Sequence, residues 1–152
     1  MPTILLVDDD EPIRLLIAAI CTRLNIAVEW AGDGAMALKM LRRRNYDALL
    51  LDLMLPEQNG FEVLRELRAC MPAMLSRTII LTAASDATLR GFDGGGTLVM
   101  LRKPFEIDDL IDAVVSCTSC EPLPAPQQRP FLVRGLRRGA RFGPTDRKVT
   151  IP

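Results

Sequence analysis

Thr3-Ile4-Leu5-Leu6-Val7-Asp8-Asp9-Asp10 begins as an unbroken apolar run and ends in three acids. A short apolar run without polar alternation reads as a strand buried on both faces. The same word returns as Ala48-Leu49-Leu50-Leu51 running into Asp52, and as Thr78 to Leu81 running into Thr82. A fourth copy, Thr97 to Leu101, is followed by Lys103-Pro104, and residues 26–30 supply one more strand. Between the strands the apolar spacing changes from continuous to helical. Ile13, Leu16, Ile17, Ile20 and Leu24 follow Glu11-Pro12, with the proline tolerated in a first helical turn. Ala35, Leu38 and Leu41 follow the Asp33-Gly34 turn signal, and Phe61, Leu64 and Leu67 follow a loop punctuated by Pro56 and Asn59-Gly60. Leu89 and Phe92 suggest a short helix within 85–96, weakened by Gly91 and Gly94-Gly95-Gly96. Glu106 to Ser116 is an amphipathic helix. Strand then helix, five times over, predicts an α/β fold: a parallel sheet with helices on both faces and right-handed crossovers.

Working outward, 152 residues of which 49% are hydrophobic suit one domain with a real core. No apolar run is long enough for a membrane-spanning helix, and the first residues lack a basic n-region and a cleavage site. The expectation is therefore a cytoplasmic protein that does not touch the membrane. The net charge of zero hides an asymmetry: residues 1–120 carry 12 basic and 17 acidic residues, and residues 121–152 carry seven basic and two acidic. The boundary falls at a Pro-rich linker, Glu121 to Gln128. The expected organisation is a domain over 1–120 and, over 121–152, a linker and basic tail that is disordered or starts an output region missing from this chain. The tail has too few apolar residues to build a core, and it carries no nucleic-acid-binding signature, so DNA binding within this chain is not expected. Arg42, Arg43 and Arg44 sit where a helix ends, the place cations favour, which argues against a nucleic-acid site there. Cys117 and Cys120 form a C-x-x-C pair, but the chain has no histidine and the pair ends a helix instead of starting one. Small helix-end residues are the simpler reading than zinc or redox chemistry.

In open parallel sheets, ligands bind beyond the carboxyl ends of the strands where the strand order reverses. Here those ends carry Asp8, Asp9 and Asp10, then Asp52, then Thr82, then Lys103. A single acid at a strand end is most simply a solvated loop residue; acids, a hydroxyl and a lysine at four strand ends together make a site. Converging carboxylates repel one another, and a divalent cation relieves that repulsion. Oxygen ligands and a partly hydrated site suit Mg²⁺, which also neutralises phosphate oxygens. A lysine adds positive charge, a threonine adds a hydrogen bond, and one carboxylate is left as a nucleophile able to form an aspartyl phosphate.

Ile4-Leu5-Leu6-Val7-Asp8-Asp9, Leu50-Leu51-Asp52-Leu53-Met54-Leu55-Pro56 with Asn59-Gly60, Leu81-Thr82-Ala83 and Lys103-Pro104-Phe105, in that order and at that spacing, resemble the receiver domain of two-component response regulators. The resemblance covers about residues 1–120. It implies a doubly wound, flavodoxin-like sheet of five parallel strands in the order 2-1-3-4-5. It implies that Asp52 is the phosphoacceptor, that Asp9 ligates Mg²⁺ directly with Asp8 supporting it, and that Asp52 and the backbone carbonyl of Met54 complete the metal set. Thr82 and Lys103 would engage the phosphoryl oxygens, and Pro104 would follow Lys103 through a cis peptide. Asp10 has no role in that pattern. The implied donor is a sensor histidine kinase or a phosphotransfer protein, and the output partner is unknown. Homodimerisation is compatible with the pattern but specified by no residue. Two departures stand out: Met100 occupies a position usually aromatic in that family, and Asp93-Gly94-Gly95-Gly96 replaces the usual turn before the last strand.

Two other function classes bear on the same residues. A receiver-like module that binds partners without phosphate would not need Asp9, Asp52, Thr82 and Lys103 together. A phosphatase with an aspartyl nucleophile commonly uses Asp-x-Asp, with the second acid as general acid; here that second position is Met54. The chain is thus expected to be a signalling module and not an enzyme, with at most slow loss of its own phosphoryl group.

Overall fold

The computed structural model describes residues 1–57, 59–92, 96–97, 99–119 and 133–134. The strands are β1 (Thr3–Val7), β2 (Ala27–Ala31), β3 (Ala48–Asp52), β4 (Thr78–Thr82), β5 (Val99–Arg102) and β6 (Val133–Arg134). The helices are α1 (Glu11–Arg23), α2 (Gly34–Arg43), α3 (Gly60–Cys70), α4 (Pro72–Leu75), α5 (Asp86–Leu89) and α6 (Ile107–Thr118). All pairings are parallel, in the order β2-β1-β3-β4-β5-β6. The first five strands have the expected 2-1-3-4-5 order. The two residues of β6, paired with Met100 and Leu101 at the sheet edge, were not expected from the sequence. The linker, the rest of the basic segment and Cys120 lie outside the described residues.

Strand periodicity divides the core in two. Ile4, Leu6, Leu50, Ile79, Leu81 and Leu101 face α1 and α6, where Ile13, Ile17, Leu110 and Val114 meet them. Leu5, Val7, Leu49, Leu51, Ile80 and Met100 face the other way, against Leu38, Leu41, Val63, Leu64 and Leu67 of α2 and α3. This is why β1 and β3 read as continuous apolar runs: each side chain finds a helix whichever way it points. The Met100 departure is thereby placed. Its side chain lies in the second core, 2% exposed.

The helix starts have local causes. Asp10, Asp33, Asn59 and Ser85 each cap a helix by accepting a hydrogen bond from the N–H three residues on, at 2.7–3.2 Å. Asn25, at φ 55°, turns the chain after α1, and Arg42 and Arg43 end α2 as expected. The helix expected within 85–96 is confined to Asp86–Leu89; Phe92 packs edge-on against Phe61 instead, with ring centroids 5.2 Å apart. The last expected strand is shifted, running from Val99 to Arg102. The helical turn at Pro72–Leu75 was not anticipated. Only one of its four residues, Leu75, is buried, so it carries no periodic signal.

Candidate functional site

The switch in strand order lies between β1 and β3, and both carboxyl ends there are acidic. Asp52 is the last residue of β3 and 4% exposed; Asp8 directly follows β1 and is fully buried. Lys103 follows β5, and its N–H donates to the Thr82 carbonyl at 2.8 Å, which ties it to the end of β4. From there its ammonium bonds the Asp8 Oδ2 at 2.8 Å and the Asp52 Oδ2 at 2.9 Å. The second oxygen of each acid is held by backbone. The Asp10 N–H donates to Asp8 Oδ1 at 2.8 Å, and the Met54 N–H donates to Asp52 Oδ1 at 2.9 Å.

Asp9 is exposed, and its carboxylate lies with those of Asp8 and Asp52 inside a 4.8 Å cluster. Three carboxylates meet one ammonium, leaving two negative charges uncompensated. Burial pushes the Asp52 carboxyl above its usual value; the Met54 N–H and Lys103 pull the other way, and Asp8 adds to the rise. Lys103 is pulled down by burial, but its bonds to Asp8 and Asp52 more than reverse this, so its ammonium titrates above the ordinary lysine value. The all-oxygen donor set and the uncompensated charge fit a small hard divalent cation.

The remaining expected residues are at hand. Thr82 ends β4, fully buried, its hydroxyl accepting from the Ala84 N–H at 3.0 Å and still able to donate. Its strand neighbour Leu81 pairs with Asp52, so Thr82 lies one step beyond the acid. Met54 keeps its side chain half exposed. The Lys103-Pro104 peptide is cis, as the resemblance implied. The structure therefore brings Asp8, Asp9, Asp52 and Lys103 into one cluster and sets Thr82 and Met54 at its edge.

Sequence reasoning missed three contributors. Asp10, which has no role in the family pattern, caps α1 through Ile13 at 3.2 Å; an Asp before Glu-Pro is a recognisable cap signal. Gly60 packs on the backbone of the nucleophile candidate, where a Cβ would sit 2.4 Å from the Asp52 carbonyl oxygen and 2.6 Å from the Leu53 Cα. Trp30, at the sheet edge, donates its indole N–H to the Asp8 carbonyl at 2.8 Å. No local sequence signal marks that long-range bond.

Comparison with known proteins places the chain in a family. Residues 4–115 match the model of the response regulator receiver domain. The transcriptional regulatory protein TcrA of Mycobacterium tuberculosis is 33% identical over 148 residues, 96% of this chain and 55% of TcrA. The chain thus spans about half the length of that relative. The receiver domain of the Francisella response regulator 1452 superposes with a TM-score of 0.68 at 32% identity, covering 78% of this chain and 97% of that one. The response regulator TrrA of Thermotoga maritima, in complex with Mg(2+)-BeF, superposes at 0.67 with 30% identity over 77% of this chain and 99% of TrrA.

Proposed function

The chain belongs to the response regulator receiver domain family, and on that premise we propose that Asp52 accepts a phosphoryl group from a histidine-kinase phosphohistidine or a phosphotransfer protein in the cytoplasm. The observation that carries this is the Lys103 ammonium held between two buried carboxylates, with Asp9 beside them. A carboxylate oxygen of Asp52 attacks phosphorus, the P–O bond forms as the donor P–N bond breaks, and the imidazole leaves with the electron pair. Asp8, Asp9, Asp52 and the Met54 carbonyl are the groups that would hold Mg²⁺, which when bound neutralises the phosphoryl oxygens. Lys103 is already bonded to Asp52 and stays within reach of the negative charge as it passes to the phosphoryl group. Thr82 offers its O–H to a phosphoryl oxygen. That engagement would draw on the β4–α5 loop, because the Thr82 hydroxyl now accepts from the Ala84 N–H.

The acyl phosphate is hydrolysed slowly. Met54 and Ala84, the residues two beyond Asp52 and Thr82, carry no group able to activate water. The output is a change in partner binding. Similarity to TcrA, a transcriptional regulatory protein, covers 96% of this chain and so reaches into 121–152.

Intact-protein mass after incubation with acetyl phosphate tests the proposal. The expected result is a phosphoryl adduct that requires Mg²⁺, is absent with a chelator and is absent in Asp52→Asn. An adduct-free protein that is folded, binds Mg²⁺ and is also not labelled by cognate kinase would instead support a phosphate-independent interaction module.

A further inference from the structure

Asp9 differs from the other acids of the cluster: it is exposed, whereas Asp8 and Asp52 are buried and held by Lys103. A ligand on an exposed residue binds well only if the backbone that carries it is fixed beforehand. Two peptide units flank Asp9, and each is planar, so fixing one atom of a unit restrains its whole plane. The unit after Asp9 is held by Asp8 itself, whose Oδ1 accepts from the Asp10 N–H at 2.8 Å. The unit before Asp9 carries the Asp8 carbonyl, and the group that bonds this oxygen is the Trp30 indole, at 2.8 Å.

Trp30 is in turn held. The Arg14 guanidinium from α1 lies 3.8 Å from the ring centroid. Gly32 closes on the same ring: a Cβ there would come within 3.1 Å of Cζ2 and 3.3 Å of Cη2. Yet 42% of Trp30 remains exposed, so core filling does not explain why an indole is placed here.

We propose that Trp30, braced by Arg14 and Gly32, is a positioning residue for the divalent cation, setting the Asp8–Asp9 peptide so that the Asp9 carboxylate meets the ion. The inference rests on the proposed Asp8, Asp9 and Asp52 metal site. Trp30 touches neither the metal nor the phosphoryl group; it acts through the Asp8 carbonyl. As the only tryptophan of the chain it also reports on that carbonyl optically.

The test is Mn²⁺ binding to the full chain, followed by electron paramagnetic resonance with Mg²⁺ competition, in wild type, Trp30→Phe, Gly32→Ala and Asp9→Asn. Trp30→Phe keeps an aromatic ring and loses the N–H; losing one hydrogen bond should weaken affinity about fivefold. Gly32→Ala keeps the N–H and displaces the ring, so it should weaken binding in the same direction. In the wild type, Mg²⁺ should shift Trp30 fluorescence with the midpoint found by competition. Wild-type affinity in both variants would overturn the proposal, as would a lowered melting temperature of the metal-free variants with unchanged affinity, which marks Trp30 as structural only. Failure of the underlying site has its own signature: wild-type Mn²⁺ binding that is absent or survives Asp9→Asn overturns the metal site and this inference with it.

Discussion

Gly60→Ala probes how tightly the phosphoacceptor strand is built against the helix that follows it. The new Cβ would stand 2.4 Å from the Asp52 carbonyl oxygen and 2.6 Å from the Leu53 Cα, where ordinary contact begins at 3.4 Å. Both obstacles are backbone, so no side chain can swing aside, and α3 must part from the end of β3 by about 1 Å, the difference between ordinary contact and the clash. That opening also stretches the Gly60 N–H bond to the Leu53 carbonyl, now 3.0 Å. Overpacking on this scale costs about 1–3 kcal/mol, so the urea midpoint should fall by about 1–2 M. A reacting group misplaced by about 1 Å can lose a hundredfold in rate, so adduct formation from acetyl phosphate should slow by roughly that factor. Gly91→Ala is the control: its φ of +77° strains any Cβ, but nothing lies within 4 Å of it. It should cost about 1 kcal/mol and leave the phosphorylation rate alone. A Gly60→Ala protein with wild-type midpoint and wild-type rate would refute the claimed close approach.

Asp52→Asn should raise stability at pH 7 in the absence of metal. The carboxyl is pushed up by burial, so the folded state holds its proton more tightly. That contribution is fully present below the ordinary carboxylate range and is lost as pH rises through the folded value. The variant escapes this loss, so thermal melts should show a gain at pH 7 that shrinks toward pH 4; an equal gain at both pH values would contradict the linkage. Among the described thiols, Cys21 and Cys117 are buried and pushed up to about 11 and about 12, whereas Cys70 is exposed. Iodoacetamide at pH 8 should label Cys70 first and the other two about a hundredfold more slowly, and peptide mapping that found all three labelled together would refute the packing. Arg102 ties β5 to the loop after Thr82, bonding the Ala84 carbonyl at 2.8 Å and pairing with Asp86. Because Asp86 is 82% exposed the ion pair itself is worth little, at most about 1 kcal/mol. Arg102→Ala should therefore speed hydrogen exchange over 84–90 with hardly any change in melting temperature, and unchanged exchange would discard the tether.

The five strands and the acids at their ends were legible because both rest on local signals, whereas the order 2-1-3-4-5 came only with the resemblance to the receiver family. Ala48 to Leu51 and Ile4 to Val7 are apolar on both faces, and their acids fall at the ends of strands that pairing then brings together. Lys103 could be placed because it follows a strand directly. What escaped depended on contacts distant in sequence or on elements too short for periodicity. The Trp30 bond to Asp8 spans 22 residues and leaves no pattern. Gly60 was read as half of a turn signal, although its decisive neighbour is the backbone of Asp52, eight residues earlier. Pro72–Leu75 and β6 are four and two residues long, and neither could announce itself by repetition. Within 85–96 the glycines had weakened the expected helix, and it stops at Leu89.

In the proposed function Asp52, and no other acid of the cluster, carries the phosphoryl group. Borohydride reduces an aspartyl phosphate to homoserine, so reduction of the acetyl phosphate-treated protein followed by peptide sequencing locates the modified residue directly. Homoserine is expected at position 52, dependent on Mg²⁺; homoserine at position 8, 9 or 10, or none from protein that carries a phosphoryl adduct, would overturn the assignment.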